Sequence, residues 1–179
     1  TVCMPTDATM AYRAVFAAAE LEGPLYLRFT RDPVPVLYED GLDFEFGQAI
    51  VLRTGADATI IANGDMVAQA LAAADRLASA GVAVTVIDMH TVKPLDEASV
   101  IEHCAEAGLV VTVEDHQVNG GLGSAVAEVL GEHCPVPMKR IGLRDTFAES
   151  GSYPALLEKY GLDAGAIERA VLEGLAVER

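Results

Sequence analysis

Leu109-Val110-Val111-Thr112-Val113-Glu114-Asp115-His116-Gln117-Val118-Asn119-Gly120-Gly121-Leu122-Gly123-Ser124 decides the fold class. Leu109 to Val113 is an apolar, β-branched run of strand length. The glycines that follow permit a sharp turn, and the residues after them favour a helix to about Glu132. The pattern repeats on both sides. Upstream, Val82 to Asp88 is an apolar strand suited to a sheet covered on both faces. It leads to a helix over Leu95–Ala107, with Asp96 as a cap and Gly108 as its end. Before it stand strands Gln48–Arg53 and Ala58–Ala62, and a helix opened by Gly64-Asp65 that runs to about Ala80. Downstream lie a last strand, Val136–Ile141, and helices Tyr153–Tyr160 and Ala164–Val177, broken at Gly161. Strands alternating with helices predict an α/β three-layer sandwich with a mostly parallel, five-stranded sheet. The Thr54-Gly55 turn is too tight for a crossover. It predicts a hairpin between Gln48–Arg53 and Ala58–Ala62, and so one antiparallel edge strand.

The N-terminal segment carries a separate βαβ pattern. Val2–Met4 ends a strand, Ala8–Glu20 is a helix capped by Thr6 or Asp7, and Leu25–Thr30 is a second strand. Residues 32 to 47, rich in proline, glycine and acids, read as a linker. They divide the chain into residues 1–40 and residues 41–179.

The chain has 179 residues, 51% of them hydrophobic, and a formal net charge of −15. That profile is globular, and its charge repels nucleic acid. Cys3, Cys104 and Cys134 form no CxxC pair and read as reduced thiols, an expectation of a cytoplasmic setting. No apolar run approaches the roughly 18 residues of a membrane span, so no membrane contact is expected.

Few motifs carry chemistry by themselves. Gly120-Gly121-Leu122-Gly123 opens a helix whose free N–H groups suit an anion, yet it is neither GxGxxG nor a P-loop. A sharp strand-to-helix turn and close packing against a neighbour explain its glycines better. Glu114, Asp115 and His116 form an acid–imidazole cluster. Neighbours on a strand point to opposite faces, so a hydrogen-bonded structural or interface His116 is the reading favoured over a base or metal ligand. Arg31, at a strand's carboxyl end before Pro33 and Pro35, suits an oxyanion, or an ordinary surface ion pair. Arg28, three residues earlier, faces the other way.

Taken together, Val2-Cys3-Met4-Pro5-Thr6-Asp7-Ala8 and Gly23-Pro24-Leu25-Tyr26-Leu27-Arg28-Phe29-Thr30-Arg31 resemble the end of the pyrimidine-binding domain of transketolases and their relatives. Gly47-Gln48-Ala49 through Asn63-Gly64 resembles the opening of the family's C-terminal domain. Val86–Asp96 and Glu114–Gly123 resemble two of its later segments. The 1-deoxyxylulose-5-phosphate synthases and the beta subunits of 2-oxo acid dehydrogenases share this layout. Arg144–Gly151 and Leu156–Leu162 are most similar to transketolase, especially the type split into two polypeptides.

The resemblance implies a complete enzyme that moves a two-carbon ketol unit from a ketose phosphate to an aldose phosphate, using thiamine diphosphate and Mg or Ca. Arg31 matches the family's substrate-phosphate arginine. His116, Gly120, Gly121 and Gly123 are expected at an interface or an anion contact. The family's diphosphate and metal motif, Gly-Asp-Gly followed by Asn, and its catalytic glutamate have no counterpart in this sequence. No catalytic, cofactor or metal residue is therefore expected here, and the chain alone is expected to be inactive. Its expected partners are the remaining transketolase sequence, a second copy in a homodimer, and sugar phosphates. Residues 1–31, a remnant of their domain, are expected to be disordered, to dock on the C-terminal domain, or to pair with another chain. The start at Thr1 is consistent both with a natural split subunit and with a piece of a longer protein. The competing reading is a non-catalytic nucleotide-binding or assembly module.

Overall fold

A computed structural model describes residues 1–176. Its elements are β1 (Val2–Cys3), α1 (Ala8–Glu20), β2 (Tyr26–Leu27), β3 (Ile50–Arg53), β4 (Ala58–Ala62), α2 (Met66–Ser79), β5 (Val84–Asp88), β6 (Thr91–Lys93), α3 (Glu97–Cys104), β7 (Val110–Gln117), α4 (Leu122–His133), β8 (Met138–Leu143), α5 (Tyr153–Tyr160) and α6 (Ala164–Ala176). Val177, the expected end of the last helix, lies outside the described residues.

The main sheet has five strands in the order β3-β5-β4-β7-β8. The last four are parallel and β3 is antiparallel. Side chains alternate between its faces. Ile60, Val86, Val111 and Val113 pack under α2, α5 and α6, while Ile61, Ile87 and Val110 pack under α3 and α4. This is the three-layer α/β arrangement that the alternating pattern predicts.

The expected hairpin does not form. β3 pairs with β5, and β4 lies on the other side of β5. The short loop between β3 and β4 instead straddles the start of β5. Gly55 exchanges hydrogen bonds with the Thr85 hydroxyl, at 3.0 Å from its N–H and 2.8 Å to its carbonyl. Asp57 binds Ala83 by its N–H at 2.8 Å and its carboxylate at 2.7 Å. A Cβ on Gly55 would overlap the backbone of Ala83 and Val84, so the crossing depends on this glycine.

Residues 1–31 dock on the C-terminal domain. β1 pairs parallel with β2 and antiparallel with β6, a short strand absent from the sequence reading. The expected strand over Leu25–Thr30 shortens to Tyr26–Leu27, and the last strand begins at Met138 instead of Val136. The helix expected over Leu95–Ala107 shortens to Glu97–Cys104. The expected caps hold: Asp7 accepts from Met10 N–H at 2.8 Å and Asp96 from Ser99 N–H at 3.0 Å.

Candidate functional site

The carboxyl ends of the parallel strands gather most of the buried polar groups. β7 extends beyond its apolar run, and alternation sorts its last residues. Glu114 and His116 face α4, while Asp115 faces α2 and α5. Glu114 is fully buried. Its carboxylate accepts from Leu122 N–H at 2.8 Å and Gly123 N–H at 2.9 Å, and lies 3.1 Å from His116 Nδ1. It therefore fills the anion position at the start of α4 from within the chain. A Cβ on Gly121 would overlap this carboxylate, and one on Gly123 would stand 2.7 Å from Thr112 Oγ1. Gly120 is exposed and donates its N–H to Ser124 Oγ at 2.9 Å. Glu114 thus takes the anion position beside Gly121 and Gly123, where close packing accounts for the glycines, while Gly120 supplies a positive φ of 76° in open space. His116 stays half-exposed. The Glu114 carboxylate close to Nδ1 raises its pKa above the ordinary value, against a smaller opposing effect of burial.

Asp115 takes the other face. Arg28 reaches over from the end of β2 and binds it with both guanidinium nitrogens, Nη2 at 2.8 Å. This hydrogen bond is the chief reason the Arg28 pKa is raised. Beside the pair, the Tyr153 hydroxyl donates to the buried Asp65, whose pKa burial and the nearby Asp115 raise. Arg31 lies three residues past Arg28, in a bend after β2. It is exposed and makes no hydrogen bond or ion pair among the described residues.

A second polar cluster joins the N-terminal segment to β5. Asp88 is fully buried, and its Oδ2 accepts from the hydroxyls of Thr6 and, at 2.7 Å, Tyr38. Asp7 accepts from Leu37 N–H at 2.7 Å and Tyr38 N–H at 2.9 Å. Phe44 stacks on His90 with ring centroids 4.8 Å apart. The segment 32–47 is therefore pinned at several points. Asp65, Tyr38 and Asp88 were given no site role by the sequence reading, and Arg28 and Asp115, both noted in it, were not joined as a pair. The available signal was chemical: acids directly after apolar strands, at Asp65, Asp88 and Asp115, stand where such sheets gather ligands.

The model of the transketolase C-terminal domain family matches residues 47–167. The chain belongs to the transketolase family. It is 46% identical to the 6-deoxy-6-sulfo-D-fructose transketolase subunit SqwH of Clostridium sp. (strain MSTE9), over 97% of this chain and 54% of that protein. It is 39% identical to the 1-deoxy-D-xylulose-5-phosphate synthase of Heliobacterium modesticaldum, over 94% of this chain and 27% of that protein. Among solved structures it matches one titled split gene transketolase, inactive beta4 tetramer, with a TM-score of 0.95 and 46% identity, over 99% of this chain and 58% of that one. The chain spans about half the length of the first of these curated relatives and about a quarter of the synthase.

The transketolase family generally uses thiamine diphosphate, and the donor set described here does not fit that group. Among the described residues no three His, Cys, Asp or Glu side chains converge as metal ligands. The helix start best placed for a diphosphate already holds Glu114. No described helix is long and apolar enough to cross a membrane.

Proposed function

We propose that this chain is the C-terminal section of a split transketolase, which supplies the oxyanion end of the substrate site and an assembly surface. The complete enzyme transfers a two-carbon ketol unit between sugar phosphates, with thiamine diphosphate held by sequence outside this chain. The carrying observation is Arg31, an exposed guanidinium without a protein partner among the described residues, in a chain of net charge −15. A planar cation set at the end of rigid backbone binds phosphate bidentately. A sulfonate presents the same oxygens, in keeping with the sulfosugar in the name of the relative above.

Assembly is supported by the surface of residues 1–31. Tyr12, Val15 and Phe16 of α1, with Tyr26 and Phe29 around β2, are all more than half exposed. β2 is also an open sheet edge. An aromatic patch beside an open edge suits the rest of the pyrimidine-binding domain. His116, half-exposed at the domain's other face, is proposed as a further partner contact, and a homodimer in the cytoplasm completes the reading.

Two results test it. The isolated chain, given thiamine diphosphate, Mg and a ketose phosphate, should show no ketol transfer. Turnover above the blank would overturn the split-subunit reading. In the assembled enzyme, Arg31→Met should raise KM for the phosphorylated ketose about tenfold or more and leave that for its dephosphorylated form unchanged. An unchanged preference for the phosphorylated sugar would remove Arg31 from the site. A 1-deoxyxylulose-5-phosphate synthase section, favoured by the 39% identity above, would instead give an enzyme that does not accept the ketose phosphate as donor.

A further inference from the structure

The strand order places a crevice between β4 and β7. The chain leaves β4 for β5 on one side and leaves β7 for β8 on the other, so the connections at the two carboxyl ends diverge. Open α/β sheets bind their ligands at such a switch point. Its lips here are acidic: Asp65 follows β4 and Asp115 stands near the carboxyl end of β7. The chain occupies it with its own cation, Arg28, which comes from the other sheet.

Arg28 is held twice. Its N–H donates to Cys3 O at 3.0 Å, and its guanidinium forks onto Asp115. The next described hydrogen bonds of the chain come at Leu37 and Tyr38, both on Asp7. Residues 29–36 therefore hang between two anchors, stiffened by Pro33 and Pro35. Arg31 lies three residues from the first anchor.

We infer that Arg28, seated on Asp115 in the switch-point crevice, is the positioning residue that sets Arg31 for the substrate oxyanion. The crevice that would take a ligand in a free-standing domain of this fold works here as a socket for the neighbouring segment. The inference rests on the reading of Arg31 above.

The test uses this chain assembled with the rest of its enzyme, a ketose phosphate and its dephosphorylated form. Arg28→Met and Asp115→Asn should each raise KM for the phosphorylated ketose about tenfold, with kcat within about twofold and the dephosphorylated substrate unaffected. Arg28→Lys should recover little, because an ammonium cannot fork onto both carboxylate oxygens. The double variant should be no worse than either single one, since the pair acts as a unit. Where Arg28→Met fails to fold, Asp115→Asn carries the same prediction. If both variants keep their preference for the phosphorylated sugar while Arg31→Met loses it, the positioning role is wrong and the Arg31 reading stands. If Arg31→Met keeps the preference too, the Arg31 reading itself has failed.

Discussion

Glu114→Ala should destabilise the isolated chain by about 3–5 kcal/mol, read from urea unfolding. Glu114 is a fully buried carboxylate with two backbone donors and an imidazole on it. Removal leaves the N–H groups of Leu122 and Gly123 without a partner where water does not reach, and opens a cavity under α4. Glu114→Gln keeps the shape and one carbonyl acceptor, so its loss should be roughly half as large. Gly121→Ala approaches the same cluster from the other side, and its methyl group would overlap the carboxylate. A loss below about 1 kcal/mol for Glu114→Ala would mean that α4 is held by its apolar face alone, without the carboxylate cap.

The second large effect is a change in how stability follows pH. Burial, opposed in part by the hydroxyls of Thr6 and Tyr38, raises the Asp88 pKa from the ordinary 3.8 to about 7. Between these values the folded chain holds a proton that the unfolded chain releases. The contribution of Asp88 is therefore fully present below about pH 4 and is lost as pH rises toward 7. His90 has the opposite sign. Burial lowers its pKa from 6.5 to about 4, so the unfolded chain takes up a proton that the folded chain refuses, and stability rises with pH over that window. In the native sequence the two slopes oppose each other. Asp88→Asn removes one of them. Between pH 4.5 and 6.5 the variant should gain about 2 kcal/mol relative to the native chain, measured by urea unfolding at each pH. Parallel curves would show that Asp88 is not protonated in the folded state over this range.

Much of the fold is legible in the sequence because burial on both faces leaves long β-branched runs, and because glycines and acids mark the helix ends. Gly55 marks where that legibility stops. The spacing between β3 and β4 excludes a helix, but it does not distinguish a hairpin from a loop that hops over a third strand. The deciding fact is the contact of Gly55 with Ala83 and Val84, nearly thirty residues away. β6 escaped for a related reason: three residues carry no period, and the strand exists only because β1 lies beside it. The candidate site divides in the same way. Arg31 stood out only through the resemblance of the chain as a whole, since alone it reads as a surface cation. The Glu114 cap needed only the alternation of β7 and a backbone partner eight residues further on. The Arg28–Asp115 pair spans 87 residues, and no local pattern joins them.

The polar joint around Asp88 also bears on where this polypeptide tolerates being cut. Composition places a seam near residue 41, in a stretch that reads as a tether. The fastenings lie on both sides of it: Thr6 and Tyr38 before the seam hold Asp88, and Phe44 after it covers His90. A C-terminal domain that began at residue 41 would lose both hydroxyl donors of Asp88 and the segments that sit on it. At residue 41 a division would pass through mortar instead of between bricks.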